Sequence, residues 1–418
     1  MLNTGLVTAK PVLASWAQAT GSSPLQQMMS VANRSDVISL SLGLPAAEFF
    51  PAAEMGAALQ SVLRREPFAL QYSFPSQALK THIVKLMEQR GVRCREEQIF
   101  LTAGAQQGIS LLTRLLLNQG GEVLCEEIVY TGFQQAIEPF QPLISTVSTD
   151  PDSGIDVEAV ERTLLQTQPA FIYVIADGQN PMGVSMSPEK RRRLAELANA
   201  YGVPIVEDDA YGFIYYKKGR CEPPLRAFND SWVFYIGTFS KILAPALRTG
   251  WIVAPEELIP KLAIIKEATD INTCTLNQRA ISAYLDEADL PARIEKLQRV
   301  YRERRDAMLE ALVKHFPPGS CWREPSSGFF VWVELPEPVD MRVLVKTAIE
   351  TEGVGFIPGQ AFAVKQTSAR STSMRLNFSN NDPAKLNEAI ARLSRAVERT
   401  LLCPKSGISS AQRQRRGI

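Results

Sequence analysis

The sequence predicts an α/β fold: a large domain with a mainly parallel sheet between helices, joined to a smaller α+β domain. Two patterns carry this. Between about residues 98 and 254, short apolar runs alternate with stretches of helical periodicity, and strand–helix–strand alternation produces parallel sheets. From about residue 290 the alternation gives way to one long charged helix and two further strands.

QIFLTAG (Gln98–Gly104) reads as a strand ending in a glycine turn, and QQGISLLTRLLL (Gln106–Leu117) has apolar residues at helical spacing. EVLCE (Glu122–Glu126) is the next strand. AFIYVIA (Ala170–Ala176) is apolar throughout, as a strand covered on both faces is. Ser187 then Pro188 start a helix and Gly202 ends it; the run Lys190–Arg193 reads as its solvated face. VPIVEDD (Val203–Asp209), WVFYIG (Trp232–Gly237) and GWIVA (Gly250–Ala254) are further strands. A helix over Ala292–Phe316, strands over Gly328–Leu335 and Ser373–Ser379, and a helix over about Pro383–Leu401 follow. The expected division is an N-terminal arm and lid (1–50), a large domain (51–288), a small domain (289–403) and a polar, disordered tail (404–418).

Apolar residues make up 45% of the 418, enough for a sizeable core, and the net charge of +1 gives no electrostatic reason for a nucleic acid or an anionic membrane as partner. No apolar run approaches the roughly 20 residues that span a bilayer. The six cysteines (Cys94, Cys125, Cys221, Cys274, Cys321 and Cys403) form no close pair, which suits a reducing, cytoplasmic setting. The first 35 residues lack Asp and Glu but carry only Lys10 and Arg34, too little arginine for a transit peptide. His82 and His315, the only histidines, stand in no metal-type spacing, so no metal site is expected and Ser–His–Asp chemistry starts low.

Ligands of open α/β sheets bind beyond the carboxyl ends of the strands. After the first strand, Gly104 permits a tight turn, and the amides of Ala105 and Gln106 would face an anion such as phosphate; the same stretch also serves as an ordinary strand–helix turn. DGQNPMG (Asp177–Gly183) is a turn that projects Asn180, with a candidate cis bond to Pro181, or simply a turn. Glu207, Asp208 and Asp209, then Tyr211, offer a carboxylate for a cationic ligand group, or are solvated loop acids. Lys241 has no charged residue within six positions on either side. It is either a lysine at a helix start or a desolvated amine, with Arg248 lowering its proton affinity. Taken together, an anion seat, a carboxylate, a tyrosine, an amide and a shielded lysine suit an aromatic phosphorylated aldehyde with a ring nitrogen, and pyridoxal 5′-phosphate is that molecule.

GTFSKILAPALRTGW resembles the cofactor-lysine segment of the fold-type I pyridoxal-phosphate aminotransferases of class I/II, within them the kynurenine/2-aminoadipate branch. QNPMGVSMSPEKRRRLAELA, VEDDAYGFIYY, ISLSLGLPAAEFFP and MRLNFS are similar to its other blocks, and the likeness runs from about Val37 to Leu401. The resemblance implies the fold-type I architecture, with a mainly parallel sheet of the seven-stranded type in the large domain, and a ping-pong transfer of an amino group from an L-amino acid to a 2-oxo acid, with Lys241 in a Schiff base. It makes Asp208, three residues before Tyr211, the partner of the pyridine nitrogen. Tyr211 and Asn180 would meet the ring hydroxyl and Tyr130 the ring face. Gly104, Ala105, Gln106, Thr238, Ser240 and Arg248 would hold the phosphate. Tyr72 would reach the neighbouring subunit's phosphate, which implies a homodimer with shared sites. Arg375 would fork onto the substrate carboxylate, under a lid at Gly43.

Some positions depart from the family. Met182 stands where a threonine is usual and Ala176 near a usual proline. The stretch after Tyr72 is short and lacks a glycine, and Ser327 replaces a common glycine. Gln26 stands where relatives that accept side-chain carboxylates often place an arginine. Lyases, decarboxylases and oxidases of the same fold share every cofactor contact. A non-catalytic effector module would need a helix-turn-helix, and no basic recognition helix is found before the first motif.

Overall fold

A computed structural model describes residues 12–19, 34–216, 222–336, 339–364 and 372–402. Gln26 and the 404–418 tail lie outside the described residues. The main sheet has seven strands: β1 (Ile99–Thr102), β2 (Glu122–Glu126), β3 (Leu143–Val147), β4 (Phe171–Val174), β5 (Ile205–Asp209), β6 (Val233–Thr238) and β7 (Gly250–Val253). Their order is β1-β7-β6-β5-β4-β2-β3. The pairs from β6 across to β3 are parallel. β7 departs from the alternation, running antiparallel to both β1 and β6. The link from β6 to β7 contains turns and one short 3-10 segment (Pro245–Leu247), so Lys241 sits in a turn and not at a helix start. β3 (LISTV) has a mixed burial pattern at the sheet edge, with Leu143 exposed; it lacks the apolar run that marks its neighbours.

Side chains alternate across each strand. On β5 and β6, Val206, Phe234 and Ile236 pack with Ile109, Leu112 and Phe133 of the helices α1 (Ala105–Leu116) and α2 (Thr131–Ile137). Ile205 and Val233 face the opposite way, toward Leu194, Leu197 and Ala198 of α3 (Pro188–Tyr201). Ser187 caps α3 and Gly202 ends it in the left-handed region (φ 64°), as the Ser–Pro and Gly signals required.

The charge run at the start of α3 is not uniformly solvated. Arg191 is buried and donates to Asp177 Oδ1 at 2.6 Å and Oδ2 at 3.1 Å. Arg90, also buried, donates to Asp177 Oδ2 at 2.7 Å and Asp209 Oδ2 at 2.9 Å. Burial pushes the Asp177 carboxyl up, but the two guanidiniums outweigh it and hold the group at about 2.

The change of pattern near residue 290 coincides with α4 (Leu290–His315). β8 (Cys321–Trp322), β9 (Phe330–Glu334), β10 (Ile357–Pro358) and β11 (Ser373–Asn377) form an antiparallel sheet in the order β8-β9-β11-β10, and α5 (Pro383–Leu402) follows it. Near the start, Ile38–Ser39 pairs in parallel with Val354–Gly355, carrying the arm past this smaller sheet and on to Gly43. Among the described residues no helix is long and apolar enough to cross a membrane.

Removing Arg191 leaves a buried carboxylate short of one partner, which costs about 3 kcal/mol. Arg193 pairs with Glu161 at the surface, a contact worth about 0–1 kcal/mol. Arg191→Ala is therefore expected to lower the urea midpoint strongly and Arg193→Ala hardly at all.

Candidate active site

At the carboxyl ends of the parallel strands lies a cavity of about 270 Å³. Its wall includes Gly43, Ala105, Gln106, Tyr130, Asn180, Asp208, Tyr211, Thr238, Ser240, Lys241, Arg248 and Arg375, which the sequence proposed from widely separated segments. Gly104 is not part of this wall; it immediately precedes Ala105, which is. Tyr72 is not brought in either: it is 83% exposed and lies outside this wall.

The three acids at the end of β5 are all buried, so the solvated reading fails, and alternation separates them. Glu207 accepts from the amides of Leu225 (2.7 Å) and Arg226 (3.0 Å). Asp209 is consumed by Arg90, the Gly212 amide (2.6 Å) and the Tyr235 hydroxyl (2.9 Å). Asp208 points to the other face. Its Oδ2 accepts from the Tyr173 hydroxyl at 2.8 Å, while its buried Oδ1 has no partner. Burial raises the Asp208 carboxyl to about 6, against the pull of the Tyr173 hydrogen bond.

Lys241 is the amine that faces this carboxylate. Its Nζ donates to the Gly43 carbonyl at 2.8 Å and stands 5.9 Å from the centroids of Tyr211 and Phe329. Burial pushes its proton affinity down to about 8; repulsion from Arg375 and then Arg248 acts in the same direction, and Asp208 opposes them. The sequence anticipated the burial and Arg248, not the larger effect of Arg375.

The anion seat expected from the sequence falls at the start of α1. Gly104, at φ 88°, lets the backbone turn there, and a Cβ would lie 2.8 Å from Arg248 Nη2. Arg248 itself is left-handed (φ 45°), donates to the Ala103 carbonyl at 2.9 Å and reaches the same seat. Thr238 donates to Ser240 Oγ at 3.0 Å and accepts from the Ser240 amide, fixing the turn that delivers Lys241. Gly132 gives room to the Tyr130 ring, since a Cβ there would fall 2.4 Å from Tyr130 Cε1. Gln106 Nε2 donates to the Gly132 carbonyl at 2.7 Å while its buried Oε1 has no partner, and its backbone amide is left to the seat.

Arg375 comes from β11, on the opposite sheet. It lies over Phe330 (4.2 Å) and Phe362 (4.7 Å), donates to Asn180 Oδ1 at 2.7 Å and to the Ser41 carbonyl, and its Nε has no partner. The Asn180–Pro181 bond is cis. Burial lowers the Arg375 guanidinium to about 10, still protonated at neutral pH. Phe330, Phe362 and Tyr173 were not singled out from the sequence. GFFVWVEL and AFIYVIA read as plain strands, because alternation tells which residues share a face but not which end of the sheet meets a ligand.

A turn of backbone amides open to an anion, a lone carboxylate oxygen and an opposed low-affinity amine fit pyridoxal phosphate. The unpartnered Asp208 Oδ1 is the observation that tests this fit, because a buried carboxylate oxygen requires a donor. The chain matches the family model for aminotransferase class I and II over residues 35–393 and belongs to that family. It is a pyridoxal-phosphate-dependent aminotransferase. Aromatic-amino-acid aminotransferase 1 of Thermococcus litoralis is 35% identical, the match covering 90% of this chain and 91% of that one. The crystal structure of a multiple substrate aminotransferase from Thermococcus profundus superposes with a TM-score of 0.85 at 34% identity, covering 93% of this chain and 98% of that one. LysN, the α-aminoadipate aminotransferase of Thermus thermophilus, solved with N-(5′-phosphopyridoxyl)-L-leucine, gives 0.84 at 33%, covering 93% and 100%.

An amine near 8 is neutral, and so reactive, over a range where ordinary lysines are charged. In the cofactor-free protein, labelling of Lys241 by acetic anhydride, quantified by mass spectrometry, is expected to be half-maximal near pH 8. Asp208→Asn removes the anion that favours the protonated amine and moves that midpoint down.

Proposed function

We infer that the chain moves an amino group from an L-amino acid to a 2-oxo acid by a ping-pong cycle, with Lys241 as the cofactor-bearing and proton-moving residue. The observation that carries this is one cavity with Asp208 Oδ1 unpartnered and the Lys241 amine held at low proton affinity. Pyridoxal phosphate, when bound, supplies a carbonyl that takes the amino group and a ring that delocalises charge from the substrate Cα. The amides at Ala105 and Gln106, the hydroxyls of Thr238 and Ser240, and Arg248 would hold the phosphate. Asp208 would accept from the ring nitrogen, Tyr130 would cover the ring face, and Asn180 and Tyr211 would meet the ring hydroxyl. Arg375, stacked between two phenylalanines with Nε free, would grip the α-carboxylate with a planar fork. The Lys241 amine would take the proton from the substrate Cα, and the Leu42–Leu44 segment would keep water out.

The rest of the wall favours an apolar or aromatic substrate side chain. Leu42, Leu44, Pro245, Phe330 and Phe362 line it, and its described cations, Lys241, Arg248 and Arg375, all have other tasks. Relatives named for aromatic and multiple substrates, and the leucine adduct in LysN, agree with this choice.

We also propose a homodimer in the cytoplasm. Phe68, Leu70, Tyr72 and Phe74 are exposed in one segment, an apolar patch that a second copy would cover while receiving Tyr72 at its phosphate seat. Cys94, Cys274 and Cys321 are free thiols, which suits a reducing compartment.

With excess leucine or phenylalanine and 2-oxoglutarate, the purified enzyme is expected to turn over. Lys241→Ala abolishes activity, and Arg375→Lys lowers kcat/KM by roughly a hundredfold through loss of the bidentate hold, about 2.7 kcal/mol. Full activity of Lys241→Ala would refute the reading. In sedimentation the wild type runs as a dimer and Phe74→Asp as a monomer. Tyr72→Phe stays dimeric but binds the cofactor about tenfold more weakly.

A further inference from the structure

We propose that Tyr173 is a positioning residue for the aminotransferase reaction: its hydroxyl locks Asp208 so that Oδ1 alone is presented to the ring nitrogen of the cofactor. This deepens the proposed function and rests on it.

The sheet register brings the two residues together. Tyr173 on β4 pairs with Val206 on β5, two residues before Asp208, so both side chains stand on the face covered by α1 and α2. The hydroxyl reaches Asp208 Oδ2 at 2.8 Å. The ring cannot turn aside. It is 1% exposed and stacked on Phe133 of α2, with centroids 3.9 Å apart and planes 4° from parallel. Phe133 is held in turn by an edge contact with Phe171, 6.2 Å away. Tyr130 immediately precedes α2 and lines the cavity, so a single helix supports both the cofactor's ring face and the clamp on its nitrogen partner.

The groups that share the field of Asp208 are Asp209 on its own strand, Tyr173 on β4, Lys241 beyond β6, and Tyr130 and Tyr211 at the rim. Among these, Tyr173 donates a hydrogen bond to the carboxylate, and a hydrogen bond to the charged form favours that form. Without it, both oxygens lie unpartnered in the interior, a state relieved by taking up a proton. A protonated carboxyl donates where the protonated ring nitrogen needs an acceptor, so the loss falls on cofactor binding and grows as pH falls.

The test titrates cofactor-free protein with pyridoxal 5′-phosphate from pH 5 to 9, read by protein fluorescence, for wild type, Tyr173→Phe, Asp208→Asn and the double variant. Tyr173→Phe is expected to bind about tenfold more weakly at pH 7 and to lose affinity relative to wild type about one pH unit earlier on acidification. On the Asp208→Asn background the same change is expected to be silent. Phe133→Leu, which loosens the stack but keeps the hydroxyl, shifts the curve in the same direction by less, and covers the case in which Tyr173→Phe does not fold. An unshifted pH profile in Tyr173→Phe, or in Phe133→Leu where that variant must stand in, overturns the proposal. So does an equal loss on both backgrounds. Failure of the wild type to bind pyridoxal phosphate, or binding indifferent to Lys241→Ala, would instead overturn the function on which it rests.

Discussion

The site depends on keeping one carboxylate oxygen unsatisfied inside the protein. Three acids end β5, and buried carboxylates are tolerated when each finds donors. Glu207 takes two backbone amides, and Asp209 takes Arg90, Tyr235 and the Gly212 amide. The pleat sends those two to one face and Asp208 to the other, where one donor meets two oxygens. The deficit is local because the neighbouring charges are complete. Arg90 and Arg191 tie Asp177 and Asp209 into a buried network behind the strand end, leaving the acid between its neighbours to face the cavity.

Lys241 is the counterpart of this deficit. An amine facing a carboxylate in water would stay charged, but here burial and two guanidiniums outweigh the single anion. Both guanidiniums are placed by unusual backbone or packing. Arg248 is reached through a left-handed turn and the bare Cα of Gly104; Arg375 is sandwiched between Phe330 and Phe362. The same two cations that would hold phosphate and carboxylate therefore also ready the lysine, so ligand binding and amine reactivity are coupled through charge.

Much of this was legible in the chain. Gly104, the Ser187–Pro188 start, Gly202 and the acid run beside Tyr211 are local signals whose chemistry survives without tertiary context. What escaped depends on pairing across distance. The antiparallel β7 was hidden because GWIVA reads alike in either direction. The interior role of Arg191 was hidden because Arg192 and Arg193 beside it really are exposed; its partners are Asp177, fourteen residues earlier, and the carbonyls of Ala176, Met186 and Pro223. Tyr173 looked like one more aromatic in an apolar strand, and its partner Asp208 lies thirty-five residues on.

Arg375 shows why the smaller sheet matters to the chemistry. It sits on β11, yet donates to Asn180 from the loop after β4 and to Ser41 from the N-terminal arm. The cluster of Ile128, Met182, Val184, Trp332, Ile357 and Phe362 packs that same loop against the smaller sheet. Met182, bulkier and more apolar than a threonine, thus fills the joint beneath the residue proposed to grip the substrate. A departure from the family at the loop is absorbed as packing between the two sheets, which leaves the polar groups that face the cofactor free to keep their geometry.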